Sequence, residues 1–243
     1  MANWSDPRIG AAQPATTAGT DIAFDAGLRA HMLSVYNYLA SGVLLTGIVA
    51  YALAWSGVAQ QIFFGGGILS YVVIFAPLLM VFFLAARLNA MSTGGLQIFY
   101  WVFATVMGAS MSLIPLLYTG ASIATTFFAT SAAFVSLSLW GYTTKKDLSA
   151  FGTFLLMGLV GLIVVMIGNL FIRSEGLSLV ISFVGVLIFA GLTAYDTQKI
   201  KSIYFQVAGS DMLGKAAIMG ALTLYLDFIN LFQFLLSFLG SRD

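Results

Sequence analysis

The sequence predicts an all-α integral membrane protein with seven transmembrane helices. Of its 243 residues 60% are apolar and only 8% are charged, where a soluble domain carries about a quarter charged residues. Mean hydropathy is +0.99, and uninterrupted apolar runs recur along most of the chain. Each run is long enough to cross a hydrocarbon core of roughly 30 Å.

Residues 1–31 precede the first run and read as a soluble, flexible tail. They hold Pro7, Pro14, a Thr-rich stretch and the acids Asp6, Asp21 and Asp25, without the short apolar core and small-residue cleavage site of a secretory signal. The acids and the scarcity of arginine argue against a mitochondrial transit peptide. The sole histidine, His31, stands at the edge of the first run and reads as interfacial or solvated. Residues 32–243 form the transmembrane domain.

The spans run from Leu33 to Trp55, Ile62 to Ala86, Leu96 to Tyr118, Ala121 to Tyr142, Leu148 to Ile172, Leu177 to Tyr195 and Ala216 to Leu239. Breakers divide them at Ser56-Gly57, Asn89 to Gly95, Thr119-Gly120, Thr143 to Asp147, Arg173 to Gly176 and Lys199 to Lys215. Only Thr119-Gly120 parts the third span from the fourth, which requires a tight turn at the membrane surface. Gly158, Gly161 and Gly168 give the fifth span small residues at helical spacing, suited to close packing. Pro77 and Pro115 are expected to kink their spans.

Cations set the orientation. With the amino terminus inside, that side receives Arg8, Arg29, Arg87, Lys145, Lys146, Lys199, Lys201 and Lys215, and the other receives Arg173 and Arg242. This bias places the amino terminus in the cytoplasm and the carboxyl terminus across the membrane.

Composition also excludes functions. A net charge of +1 and no basic cluster beyond Lys145-Lys146 argue against a nucleic-acid partner or a polybasic lipid patch. The absence of cysteine removes disulfides, thiolate metal sites and a cysteine nucleophile, and one histidine cannot assemble a zinc site. No cofactor and no resident metal are expected.

One acid cannot escape the bilayer. Asp227 stands midway along the seventh span, where an ionised aspartate costs about 2.5 to 3.5 kcal/mol and is too short to snorkel. Gly220, Thr223, Asp227, Asn230 and Ser237 fall on one stripe of that helix, so Thr223 and Asn230 read as a polar lining. An otherwise apolar circumference suits this helix to the bundle interior. Asp196 ends the sixth span on a face shared with Ser182, Gly185, Phe189 and Thr193; an interfacial pair with Lys199 one turn on is the alternative. Arg87 ends the second span on the same side, placed either to reach Asp196 or to snorkel to the headgroups.

The run Gly191-Leu-Thr-Ala-Tyr-Asp-Thr-Gln-Lys-Ile200 and the run Leu224-Tyr-Leu-Asp-Phe-Ile-Asn-Leu-Phe232 resemble the last two helices of the Bax inhibitor-1 family, the transmembrane Bax inhibitor motif proteins, in its bacterial type. The seven-span plan fits the whole chain after the tail; the amino-terminal half matches mainly by hydropathy and by Arg87. The resemblance implies six helices wrapped around a central carboxyl-terminal helix. It implies a pair of aspartates, here Asp196 and Asp227, serving as the pH sensor of a calcium leak, with Arg87 as a latch on the first. The short end Ser241-Arg242-Asp243 departs from members with charged carboxyl tails, so tail regulation is not carried over.

The leading expectation is therefore a pH-sensitive calcium leak channel in the plasma (inner) membrane, with the lipid bilayer as surroundings and calcium or another cation as the permeant. Carboxylates are hard ligands suited to calcium, and two alone suit a gate better than a tight cage. The alternative is an interaction protein that modulates a membrane-anchored AAA protease, as the bacterial resemblance implies. An intramembrane aspartyl protease is a third reading, opposed by Tyr225-Leu-Asp227 standing where presenilin-like enzymes carry a glycine-x-glycine-aspartate run. No enzyme activity and no catalytic residue are expected. A retinal protein would need a lysine midway along the last helix, and Lys215 precedes it. Asp196 and Asp227 are expected to share a proton and to titrate as one coupled pair.

Overall fold

The computed structural model describes residues 17–241. In order they form α1 (Thr17–Trp55), α2 (Val58–Phe64), α3 (Leu69–Arg87), α4 (Thr93–Met111), α5 (Ile114–Leu117), α6 (Gly120–Thr143), α7 (Ser149–Ile172), α8 (Glu175–Val207) and α9 (Leu213–Leu239). A 3-10 turn, Leu88–Ala90, joins α3 to α4. Seven stretches among these residues are long and apolar enough to cross a membrane: Ala26–Trp55, Leu69–Arg87, Thr93–Leu117, Gly120–Thr143, Ser149–Ile172, Glu175–Val207 and Leu213–Leu239.

Four boundaries differ from those read in the sequence, each for a local reason. The expected tail falls partly outside the described residues, at 1–16, but residues 17–31 are helical and continuous with the first span. Leu28 and His31 are both only 4% exposed, and the His31 ring lies 5.4 Å from that of Tyr204. His31 is thus buried rather than solvated, because α8 runs on past Tyr195 to give it a partner.

The second span begins at Leu69 instead of Ile62. Gly65 to Gly67 follow α2, and Gly66 adopts a φ of 74°, a left-handed conformation that a glycine enters without the Cβ clash. The third span is split because Pro115 has no N–H to give the carbonyl four residues back. There α4 ends at Met111, and the Ser112 hydroxyl turns to the Ala109 carbonyl at 2.7 Å. The sixth span extends to Val207, so Lys199 and Lys201 are helical rather than in a loop.

Turns are fixed by side chains. The Thr119 hydroxyl accepts the Ser122 N–H at 3.1 Å and starts α6, the capping geometry that satisfies one of a helix's orphan donors. Ser241 ties the end of the chain to that turn, accepting from Thr119 N at 3.3 Å and donating to the Ser122 hydroxyl at 3.0 Å. At the other end of the bundle, the Ser149 hydroxyl and N–H hold the exposed Asp147 carboxyl below its ordinary pKa.

The core is built on α9. From Ala217 to Phe232 none of its residues is exposed, and Leu222, Leu224 and Phe228, which lie off the polar stripe, are buried with the rest. It packs chiefly against α1, α4, α6 and α8, while α3 packs on α4 and α7 on α8. The helix is central as expected, but four helices rather than six form its main wall. The outer two, α3 and α7, have the highest mean hydropathies of the spans, 2.5 and 2.6; with no polar face to hide, they can stand in lipid.

Close approach is localised. In α7, Gly161 and Gly168 face open space, and Gly158 makes only ordinary contact with Ile188 at 3.5 Å. The tight α7 contact is Gly152, where a Cβ would strike the Tyr195 ring. On α6, a Cβ at Gly141 would strike the Ala194 carbonyl. Such contacts replace the hydrophobic drive that is lost between helices in lipid.

Candidate functional site

An α-helix turns about 100° per residue, so five consecutive residues sample its whole circumference. From Ala194 to Gln198, α8 uses each direction. The Ala194 backbone lies against Gly141 of α6, and the Tyr195 ring lies over Gly152 of α7. Asp196 turns to Asp227 of α9. Thr197 meets Ser138 of α6, hydroxyl to hydroxyl, at 2.8 Å. Gln198 bonds the connection between α6 and α7 through Leu148 N at 2.9 Å and the Lys146 carbonyl at 2.8 Å. The segment that carries Asp196 is thereby held from every side.

Asp196 is half-buried and Asp227 is only 4% exposed. Their carboxyl groups lie close enough to act on each other directly. A carboxylate has no donor, so a hydrogen bond between two such groups would require at least one proton in the pair. The Oδ2 of Asp227 is buried without a hydrogen-bond partner among the described residues, a costly condition for any charged oxygen. Lys199, one turn along α8, is the cation that acts on Asp196; its ammonium also stands 5.9 Å from the Tyr195 ring centre.

The helix lengths reconcile the depths of the two acids. At 1.5 Å per residue Asp196 lies about 16 Å from the end of α8 at Val207, and Asp227 about 21 Å from the start of α9 at Leu213. Asp196 is therefore not at the end of its span, because the helix continues three turns beyond it.

Below and beside the pair, hydroxyls bond in chains. Thr197 donates to the Thr193 carbonyl at 2.7 Å. Its oxygen is thus left to accept from Ser138, which in turn accepts from Tyr36 of α1 at 2.7 Å. On the α1 side of α9, the hydroxyls of Tyr225 and Thr46 are 2.6 Å apart. Thr46 also lies 2.9 and 3.0 Å from the Gly42 and Ala104 carbonyls, which leaves Tyr225 as the donor between the hydroxyls. The Tyr225 ring stands edge-on to Tyr100 and Phe103 of α4.

The remaining site residues are not gathered to the acids. Arg87 ends α3 exposed, on the far side of α4, and has no ion pair among the described residues. Thr223 and Asn230 are half-buried, and each bonds its own helix, to Met219 O at 3.1 Å and Leu226 O at 2.7 Å. Sequence reasoning missed Gln198, Ser138, Tyr36 and Thr46. Of these only Gln198 carried a signal, as part of the Tyr-Asp-Thr-Gln run; isolated hydroxyls in apolar helices carry none.

Residues 28–243 match the family model described as inhibitor of apoptosis-promoting Bax1. Among similar proteins, an uncharacterized protein of Rickettsia prowazekii is 46% identical over 228 residues, covering 93% of this chain and 96% of that one. An uncharacterized protein of Caulobacter vibrioides is 45% identical, covering 91% and 92%. The inner membrane protein YbhL of Escherichia coli K12 is 42% identical, covering 89% of this chain and 94% of its own.

Proposed function

Because the chain belongs to the Bax inhibitor-1 family of multi-pass membrane proteins, we propose that it is a pH-sensitive calcium leak gated by Asp196 and Asp227. The observation that carries this reading is the contact of the two carboxyl groups between α8 and α9 in the bundle interior. While one proton is shared, a strong hydrogen bond ties the two helices together. When that proton leaves, two anions face each other where little water screens them, and α8 is driven from α9. A local protonation event then biases an element with two positions, which is what a pH gate requires.

In the released state Arg87, in the last turn of α3, latches Asp196 as an ion pair. Thr223 and Asn230 line the route along α9. Calcium is the cargo, met by hard carboxylate oxygens too few to trap it. The protein lies in the plasma (inner) membrane with its amino terminus in the cytoplasm, and it is not an enzyme: Tyr225-Leu-Asp227 lacks the glycine-rich run of intramembrane aspartyl proteases.

Calcium flux into liposomes holding the purified chain, scanned over pH, tests the reading. Flux that changes with pH is expected. Zero flux at every pH would end it and favour a role in binding a membrane-anchored AAA protease.

A further inference from the structure

Two apolar hollows lie along the seam between α1 and α6. One, of about 790 Å³, runs from Arg29 and Tyr36 to Val43, with Phe134 and Tyr142 on the facing helix. The other, of about 490 Å³, continues to Tyr51 and Ile123. They share Val43, Leu44, Phe127 and Phe228, so they form one groove. Along α1 it extends from Arg29 to Tyr51, about 33 Å at 1.5 Å per residue, which is the thickness of the hydrocarbon core.

The geometry points to this groove as the binding site of one phospholipid from the surrounding bilayer, with an acyl chain along α1 and α6 and the headgroup phosphate on Arg29. Three observations select that occupant. The Tyr36–Ser138 bond, 2.7 Å, bridges the two helices, so the groove is too narrow there for a further helix of about 10 Å diameter. Its walls are almost wholly apolar, and the hydroxyls of Tyr36 and Ser138 are already bonded to each other, which suits a hydrocarbon chain better than water. Finally, among the described residues the only charged one lining it is Arg29, at one mouth, and arginine offers a phosphate bidentate chemistry.

The outer faces of α3 and α7 are equally apolar, and neither helix lines this groove. They meet lipid as solvent, whereas the groove takes one molecule.

Native mass spectrometry of the full chain, purified in detergent and exchanged out of native lipid, tests this. The wild type is expected to retain one phospholipid. Ala40→Trp and Gly47→Trp fill the groove and are expected to lose it; Gly47 has no atom within 4 Å of an added Cβ. Val164→Trp, on the exposed face of α7, is expected to keep it. Arg29→Gln removes one cation from an exposed position without touching the fold. In competition it should retain phosphatidylglycerol about five-fold less well than the wild type, the loss due to one cation near the headgroups. A wild type that retains no lipid, groove variants that retain as much as the wild type, or a Val164→Trp variant that loses it equally would overturn the site. Unchanged phosphatidylglycerol retention by Arg29→Gln would overturn the headgroup assignment.

Discussion

Gln198 brackets the start of α7 by accepting from Leu148 N at 2.9 Å while its amide nitrogen donates to the Lys146 carbonyl at 2.8 Å. One side chain on α8 thus fixes where α6 ends and α7 begins, two residues from Asp196. Gln198→Leu keeps the bulk and removes both bonds, leaving a backbone donor and acceptor to find water. Destabilisation of about 1–3 kcal/mol is expected, read by chemical unfolding in detergent micelles. Gln198→Glu, which still accepts from Leu148, should fall between the wild type and Gln198→Leu. Equal stability of all three proteins would show that the bracket contributes nothing.

Asp196→Asn and Asp227→Asn nearly preserve shape and abolish the shared titration. Each is expected to flatten the pH dependence of calcium flux in liposomes, and the double variant should add little, because residues acting as one unit are not additive. If both single variants conduct with the wild-type midpoint and steepness, the pair is not the sensor.

Arg87 is exposed at the end of α3, so Arg87→Ala should leave stability within about 0.5 kcal/mol. Its expected effect is confined to the released state: the leak rate or its pH profile shifts while the unfolding transition does not. An unchanged rate and profile would remove the latch.

Arg173 is the one non-glycine residue of positive φ among those described, at 54°, where α7 turns into α8 and Asn169 accepts its N–H at 2.8 Å. A left-handed conformation costs an L-residue roughly 1–2 kcal/mol, and more for one branched at Cβ. Arg173→Val should therefore unfold more easily than Arg173→Gly by at least about 1 kcal/mol in the same micelles. No difference between them would mean that the turn relaxes to another conformation.

Reporter fusions check the orientation. The eight-to-two distribution of cations predicts a cytoplasmic amino terminus and a carboxyl terminus on the other side. A carboxyl-terminal reporter active only in the cytoplasm would contradict it.

The sequence by itself determined the class, the number of spans and the centrality of α9, because apolar runs of bilayer length leave a polypeptide few choices. It also marked Asp227 as costly, since hydropathy registers an acid in the middle of such a run. Breaks with a backbone cause were within reach of the same reasoning, as the glycines at 65–67 and Pro115 make plain. Tertiary structure alone decided which helices wall α9 and which stand outside. It buried His31 against Tyr204, ran α8 three turns past Asp196, and joined Thr46 to Tyr225 and Tyr36 to Ser138. These are pairings across helices far apart in the chain. A hydroxyl in an apolar run has the same local signature whether it bonds its own helix, as Thr223 does, or a neighbour, as Thr46 does. Packing in three dimensions makes that choice.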